Sequence, residues 1–181
     1  MRAMSVDLRG WIRDVPDHPK PGIQFKDLTP IFAEPAAFRA AINWFDDQVL
    51  KRDPDVIAAI DARGFVFASP VADRLGIPLA LVRKSGKLPP PVIRNQYSLE
   101  YEDLSAIEMR SDALSKGQRI VIIDDLLATG GTAVAAAELA EELGTYVVAQ
   151  IFLVELAYLD GRERITNRDP DCEVVAHIVY D

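Results

Sequence analysis

Two adjacent carboxylates followed by a loop of threonines and glycines are the residues best suited to chemistry. They lie in Val121-Ile122-Ile123-Asp124-Asp125-Leu126-Leu127-Ala128-Thr129-Gly130-Gly131-Thr132. Gly130 and Gly131 lack Cβ, so the backbone there can turn tightly and approach a ligand closely. A helix opening at Thr132 offers free N–H groups and the positive end of its dipole. Thr129 and Thr132 add hydroxyl donors. This is a cradle for an anion such as phosphate. Asp124 and Asp125 repel that anion if they face it, whereas facing neutral hydroxyls they accept hydrogen bonds from a sugar diol. The combination asks for a ligand with both a phosphate and a polyol. The loop matches neither GxxxxGK[ST] nor GxGxxG, so it is not a Walker loop or a dinucleotide fingerprint.

The elements that must position these residues alternate between strand and helix, which predicts a mostly parallel sheet covered by helices. Arg119 to Ile123 is the most strand-like run, and its consecutive Ile and Val residues predict burial on both faces. Thr132 to Leu143 reads as an alanine-rich helix, with Gly144 after it. Val56 to Asp61, Pro78 to Val82, Tyr146 to Val154 and Glu173 to Tyr180 read as further strands. Phe65 to Leu75 reads as a helix closed by Gly76, and Pro35 to Lys51 as a helix with proline in its first turn. Ser85 to Ser98 is expected to be a long loop. Leu104 to Arg110 is read as an edge strand or half of a hairpin. Val6 to Val15 is expected to be a short helix, Ile23 to Asp27 a short strand, and Ala157 to Ile165 helical. The reading is one α/β domain over 1–181, with residues before about Val56 forming a small flanking lobe.

The 181 residues are 49% hydrophobic and 27% charged, enough for one sizeable core. Twenty Lys and Arg oppose 28 Asp and Glu, a net charge of -8. That balance argues against nucleic acid as the main partner. Cys172 is a lone cysteine, and His18 and His177 are the two histidines. No internal disulfide and no zinc framework follow from such a set. Met1 to Leu8 has no apolar signal core, and no uncharged apolar run approaches the roughly 20 residues that cross a bilayer. A cytoplasmic protein without membrane contact is expected.

Ile122 to Thr132 resembles the phosphoribosyl pyrophosphate signature of the type I phosphoribosyltransferases: apolar residues, two acids, then Ala-Thr-Gly-Gly-Thr. Other segments resemble the adenine phosphoribosyltransferase family, in that family's order. They are Ile12 to Asp17 with Pro19 to Ile23, then Phe25-Lys26-Asp27-Leu28-Thr29-Pro30, Asp61-Ala62-Arg63-Gly64-Phe65, Arg83 to Pro89, Tyr97 to Tyr101 and Leu153 to Leu156.

The resemblance implies a glycosyltransferase of purine salvage that turns adenine and phosphoribosyl pyrophosphate into AMP and pyrophosphate with Mg²⁺. It implies that Ala128, Thr129, Gly130, Gly131 and Thr132 hold the 5′-phosphate through backbone amides. Asp124 and Asp125 hold the ribose hydroxyls, directly or through water and the metal. No direct protein ligand set for Mg²⁺ is implied; substrate oxygens carry the ion. Arg63, Arg83, Lys84 and Lys87 face the pyrophosphate, and an unusual backbone geometry is expected at Asp61-Ala62. Arg83 is implied to reach across to a partner subunit, hence a homodimer. Phe25 stacks on adenine, with Lys26, Arg63 and Leu156 lining the same pocket. Glu100 is the general acid/base, and Tyr101 shields the reacting centre from water.

Two positions depart from the family pattern. Glu102 stands where glycine usually follows Glu-Tyr, and Pro90 stands where glycine is common. Two other readings share the phosphoribosyl loop: a transferase for a different base, and a purine-sensing regulator. The Phe25-Lys26-Asp27 segment and Arg63 speak against the first. The acidic composition, and the lack of room ahead of Ile12 for a DNA-binding domain, speak against the second.

Overall fold

The computed structural model describes residues 6–99 and 102–181. The chain divides into two compact units, one running to Trp44 and the other from Phe45 to Asp181. In the first, a single 3-10 turn (Leu8–Trp11) precedes strands β1 (Arg13–Pro16) and β2 (Gln24–Asp27) and the short helix α1 (Thr29–Ala33). β1 and β2 form an antiparallel hairpin with Val15 opposite Phe25. Helix α2 (Pro35–Leu50) starts at its proline and runs across the division.

The second unit is built on strand β3 (Val56–Ile60), helix α3 (Arg63–Leu75), and strands β4 (Leu79–Lys84), β5 (Val92–Leu99), β6 (Glu102–Arg110) and β7 (Arg119–Leu127). Helix α4 (Gly131–Glu142), strand β8 (Tyr146–Leu156), helix α5 (Gly161–Arg168) and strand β9 (Glu173–Tyr180) complete it. The seven strands lie in the order β5-β6-β4-β3-β7-β8-β9. β4, β3, β7, β8 and β9 are parallel, while β5 and β6 form an antiparallel hairpin at one side. This is the expected α/β architecture with a mostly parallel sheet.

Ile120, Val121, Ile122 and Ile123 are completely out of water, as a strand covered on both faces requires. The alanines of α4 explain how it covers the sheet. Ala133, Ala135, Ala136, Ala137 and Ala140 are all buried, and their small side chains let helix and sheet backbones lie close. Gly76 closes α3 in the left-handed region, its N–H bonded to the carbonyls of Ala72 and Asp73. The register sets Ala59 beside Ile123 and Ile60 beside Val82, so the carboxyl ends of β3, β4 and β7 share one edge.

Four expectations need correction. Residues 92–99 are a strand, not part of a long loop. Arg94 and Gln96 point to solvent while Ile93, Asn95 and Tyr97 are half-buried, an alternation too polar to stand out in the sequence. Pairing with β6, from Val92 opposite Arg110 to Leu99 opposite Glu102, supplies what propensity does not. β6 is thus the inner strand of a hairpin, and β5 is the edge. The helix expected over Val6 to Val15 is one 3-10 turn followed by β1, because pairing with β2 outweighs local preference. The helix expected over 157–165 is broken at Asp160, whose φ of 55° separates a 3-10 turn from α5. β7 also continues past its two acids to Leu127, held by pairing with β8 at Leu126 and Leu127.

Candidate active site

The chain leaves β7 through Ala128 and Thr129 and enters α4 at Gly131. Gly130 has a φ of +76°, a conformation that L side chains rarely adopt. No side chain caps the start of α4, and the residues of its first turn line a cleft. That cleft, of about 90 Å³, is lined by Asp124, Leu126 to Ala133 and Phe152. A larger concavity of about 640 Å³ opens beside Arg119 and Tyr146, at the amino ends of β7 and β8, far along the strands from the acids.

The loop is braced from behind by a residue that the sequence reading did not single out. A Cβ on Gly161 would fall 2.1 Å from the Ala128 carbonyl oxygen and 3.0 Å from the Gly130 nitrogen. A Cβ on Gly130 would fall 2.7 Å from the Gly161 carbonyl oxygen. The two backbones are therefore in reciprocal contact that only glycine permits. The next residue, Arg162, fixes the start of α5: its Nε donates to Glu155 Oε1 at 2.9 Å and its Nη1 to the Val174 carbonyl at 2.6 Å. The contact joins segments about thirty residues apart, and no local pattern announces it.

Asp125 is 5% exposed, whereas Asp124 is half-buried. Asp124 Oδ1 accepts the Asp125 N–H at 2.8 Å. Arg63, the first residue of α3, places Nε 2.9 Å from Asp125 Oδ2. That oxygen has no hydrogen-bond partner, so the contact is an ion pair off the hydrogen-bonding direction. Burial pushes Asp124 well above the ordinary carboxylate range, and the Asp125 charge adds to the rise. Burial also raises Asp125, which the Arg63 guanidinium partly offsets. Gly64 lets α3 approach β7: a Cβ there would lie 2.8 Å from the Ile123 carbonyl and 3.0 Å from Asp124 Oδ1.

The peptide between Asp61 and Ala62 is cis, as the resemblance anticipates. Asp61 Oδ2 accepts from Arg83 Nε at 3.0 Å, and the Arg83 guanidinium lies 5.8 Å from the centre of the Phe65 ring. Lys84 and Lys87 are exposed. Within the second unit the structure therefore gathers Arg63, Arg83, Asp124, Asp125 and the Ala128–Thr132 loop at the carboxyl edge of the sheet. This is where ligands bind in open α/β sheets. Leu156 ends β8 and is buried. Phe25 and Lys26 sit on β2 of the first unit. There the His18 ring meets Phe25 edge-on at 5.0 Å, and Lys26 Nζ donates to Asp14 Oδ1. Glu100 and Tyr101 lie outside the described residues. Among the described residues no group of three or more His, Cys, Asp or Glu side chains forms a metal cage. The hard oxygens of Asp124 and Asp125 do suit Mg²⁺ shared with a substrate. Among the described residues no helix is long and apolar enough to cross a membrane.

The family profile described as "Phosphoribosyl transferase domain" matches residues 27–179. The chain belongs to the phosphoribosyltransferase family. Within it, a protein of Caldanaerobacter subterraneus subsp. tengcongensis named adenine phosphoribosyltransferase is 48% identical over 163 residues, covering 90% of this chain and 94% of that protein. The adenine phosphoribosyltransferase of Thermobifida fusca is 45% identical, covering 91% and 93%. The crystal structure of adenine phosphoribosyltransferase from Thermoanaerobacter pseudethanolicus superposes with a TM-score of 0.90 at 44% identity, covering 96% and 98%. The Saccharomyces cerevisiae enzyme, solved with an imino-altritol bisphosphate and adenine, gives 0.85 at 33% identity over 93% and 94%.

Two outcomes follow from this geometry. Adding one methyl group as Gly161→Ala should displace the Ala128–Gly130 loop and weaken ribose 5-phosphate binding by at least about tenfold, the worth of one hydrogen bond to a charged group. Calorimetry checks it, and unchanged affinity would remove Gly161 from the site. The second concerns pH. Because folding raises the pKa of Asp124, the folded state keeps that proton where the unfolded chain has released it. Stability from this group is thus present at low pH and is lost as the pH rises toward the raised value. Asp124→Asn, which keeps Oδ1 for the Asp125 N–H, should raise the Tm of the free protein at neutral pH and lose that advantage near about pH 4. Thermal melts across that range test it; an Asn variant less stable at neutral pH would show the reasoning to be wrong.

Proposed function

We propose that the chain transfers the 5-phosphoribosyl group of phosphoribosyl pyrophosphate to adenine, releasing pyrophosphate and AMP, in cytoplasmic purine salvage. The observation that carries this reading is the adjacent acids, Asp125 buried and Asp124 half-buried, ahead of an uncapped glycine loop, in a chain 48% identical to an adenine phosphoribosyltransferase. In this reading the amides from Ala128 to Thr132 hold the 5′-phosphate. Asp124 and Asp125 accept from the ribose hydroxyls and fix the ring, exposing C1′ to the base. Arg63, Arg83, Lys84 and Lys87 draw the pyrophosphate away from C1′ as that carbon–oxygen bond breaks. Positive groups concentrated at one edge are what bring a polyanion to a chain of net charge -8.

The base approaches from the opposite side. Phe25 stacks on adenine while Lys26, Arg63 and Leu156 line its pocket, residues up to about 55 supplying the base-binding lobe. As the new nitrogen–carbon bond forms, the imidazole proton of adenine leaves, and Glu100 takes it. Tyr101 excludes water from the electron-poor ribose. Asp124 and Asp125 would hold a Mg²⁺ ion shared with the substrate, which would supply positive charge at the departing pyrophosphate.

A homodimer belongs to the same reading. Val66 on α3 is 40% exposed and Leu81 on β4 is 37% exposed, apolar surface on two elements that pack together. Arg83 lies on that same strand, consistent with a reach into a second copy.

The purified protein, given phosphoribosyl pyrophosphate, Mg²⁺ and separately adenine, hypoxanthine and guanine, should form AMP alone. IMP or GMP would move the specificity to another base, and no nucleotide from folded protein would favour a sensor. Glu100→Ala should lower kcat by about 10²–10⁴ with little change in KM for either substrate. Steady-state kinetics read this directly, and an unchanged kcat would take the proton from Glu100.

A further inference from the structure

Glu108 stands in the middle of β6 with 1% of its surface exposed, between Ile107 and Met109. Its register partners are Arg83 on β4 and Arg94 on β5. A buried carboxylate is expensive to keep, and an apolar side chain would fill the same place in a strand at lower cost. Its hydrogen bonds account for it. Oε1 accepts the N–H of Lys87 at 2.9 Å and the N–H of Leu88 at 2.8 Å. Arg94 Nη2 is 3.4 Å from Oε2. Burial raises the pKa of Glu108, but the N–H groups of Gly86, Leu88 and Lys87 and the Arg94 guanidinium outweigh it, and the group is held below its ordinary value. The turn after β4 is thus folded around one charged oxygen.

That turn leads to the site. The carbonyl of Lys87 accepts from Arg83 Nη1 at 3.2 Å, while Arg83 Nε donates to Asp61. Arg83 is therefore held at two points, one of them a carbonyl of the turn whose N–H groups Glu108 accepts. We propose that Glu108 is a positioning residue for the pyrophosphate side of the reaction. Its carboxylate holds the Gly86–Leu88 turn, which in turn orients Arg83 and places Lys87. This rests on the reading of Arg83 and Lys87 as pyrophosphate ligands given above.

The test compares KM for phosphoribosyl pyrophosphate with KM for adenine in Glu108→Leu, Glu108→Gln, Arg94→Ala and Arg83→Ala. Leucine keeps the strand packed and removes the acceptor, so it should raise KM for phosphoribosyl pyrophosphate about tenfold or more, the worth of a hydrogen bond to a charged group. KM for adenine should stay within about twofold, since the base makes no use of this turn. Glutamine keeps an amide oxygen for the two N–H groups and should recover most of the loss. Arg94→Ala should match the parent, because its exposed 3.4 Å contact is weak. Should the leucine variant not fold, Glu108→Asp retracts the carboxylate by one methylene and is expected to show the same selective rise. A flat KM for phosphoribosyl pyrophosphate, or an equal rise in both KM values, overturns the proposal. So does a glutamine variant as impaired as leucine. Arg83→Ala separates the two levels: if it raises that KM while the Glu108 variants do not, the positioning role alone fails. If Arg83→Ala changes nothing, the reading of the turn as a pyrophosphate arm fails with it.

Discussion

In the reading proposed above, carboxylates and an anion cradle have to serve the same small ligand without cancelling each other. β7 meets this constraint by extension. It runs on past Asp124 and Asp125 through Leu126 and Leu127 before the glycine loop begins. At about 3.3 Å per residue, three steps put roughly 10 Å between the Cα atoms of Asp125 and Ala128. In that reading a sugar ring bridges the gap, with hydroxyls at one end and a phosphate at the other. The pairing of Leu126 with Val154 and of Leu127 with Glu155 keeps that length straight. Without β8 alongside, the two ends of the site would have no fixed separation.

The same edge is crowded, and glycine resolves the crowding. Gly64 brings the start of α3 against Asp124, and Gly130 and Gly161 bring two loops into backbone contact. Each contact trades side-chain volume for exact placement of main-chain groups. The acids are costly for the free fold, since burial opposes the charge on both. A fold kept stable by the fully buried β7 core and the alanine face of α4 can carry that cost at its functional edge.

Much of this was legible because the signals were local. Four consecutive β-branched residues at 120–123 marked a central strand, Gly76 marked a helix end, and the alanines after Thr132 marked a close-packed helix. The acids and glycines that follow β7 are contiguous, so the phosphate-and-diol logic was legible too. What escaped lives in pairing across distance. β5 reads as loop because Arg94 and Gln96 interrupt its apolar rhythm, and β6 is what makes it a strand. Leu8 to Trp11 has a helical look, but the strand that follows is fixed by its pairing with β2, beyond the intervening turn. Gly161 and Glu108 carry no motif, and their importance appears only when the loop and the turn they touch are in place.

The cations at the site are oriented by acids that do not themselves bind anions. Arg63 is set against Asp125, and Arg83 is tied to Asp61. An arginine free to rotate would lose side-chain entropy on meeting a polyanion. One already held by a carboxylate has lost most of that freedom on folding, so less is lost on binding. The carboxylate also tempers the field, so the edge attracts a polyanion without presenting bare charge to every anion in solution. In the proposed reading, specificity then falls to geometry: the ligand has to offer a phosphate to the glycine loop, hydroxyls to the acids and further negative charge to the arginines at the same time. Few metabolites do this, and a phosphorylated ribose with a pyrophosphate at its anomeric carbon is one that does.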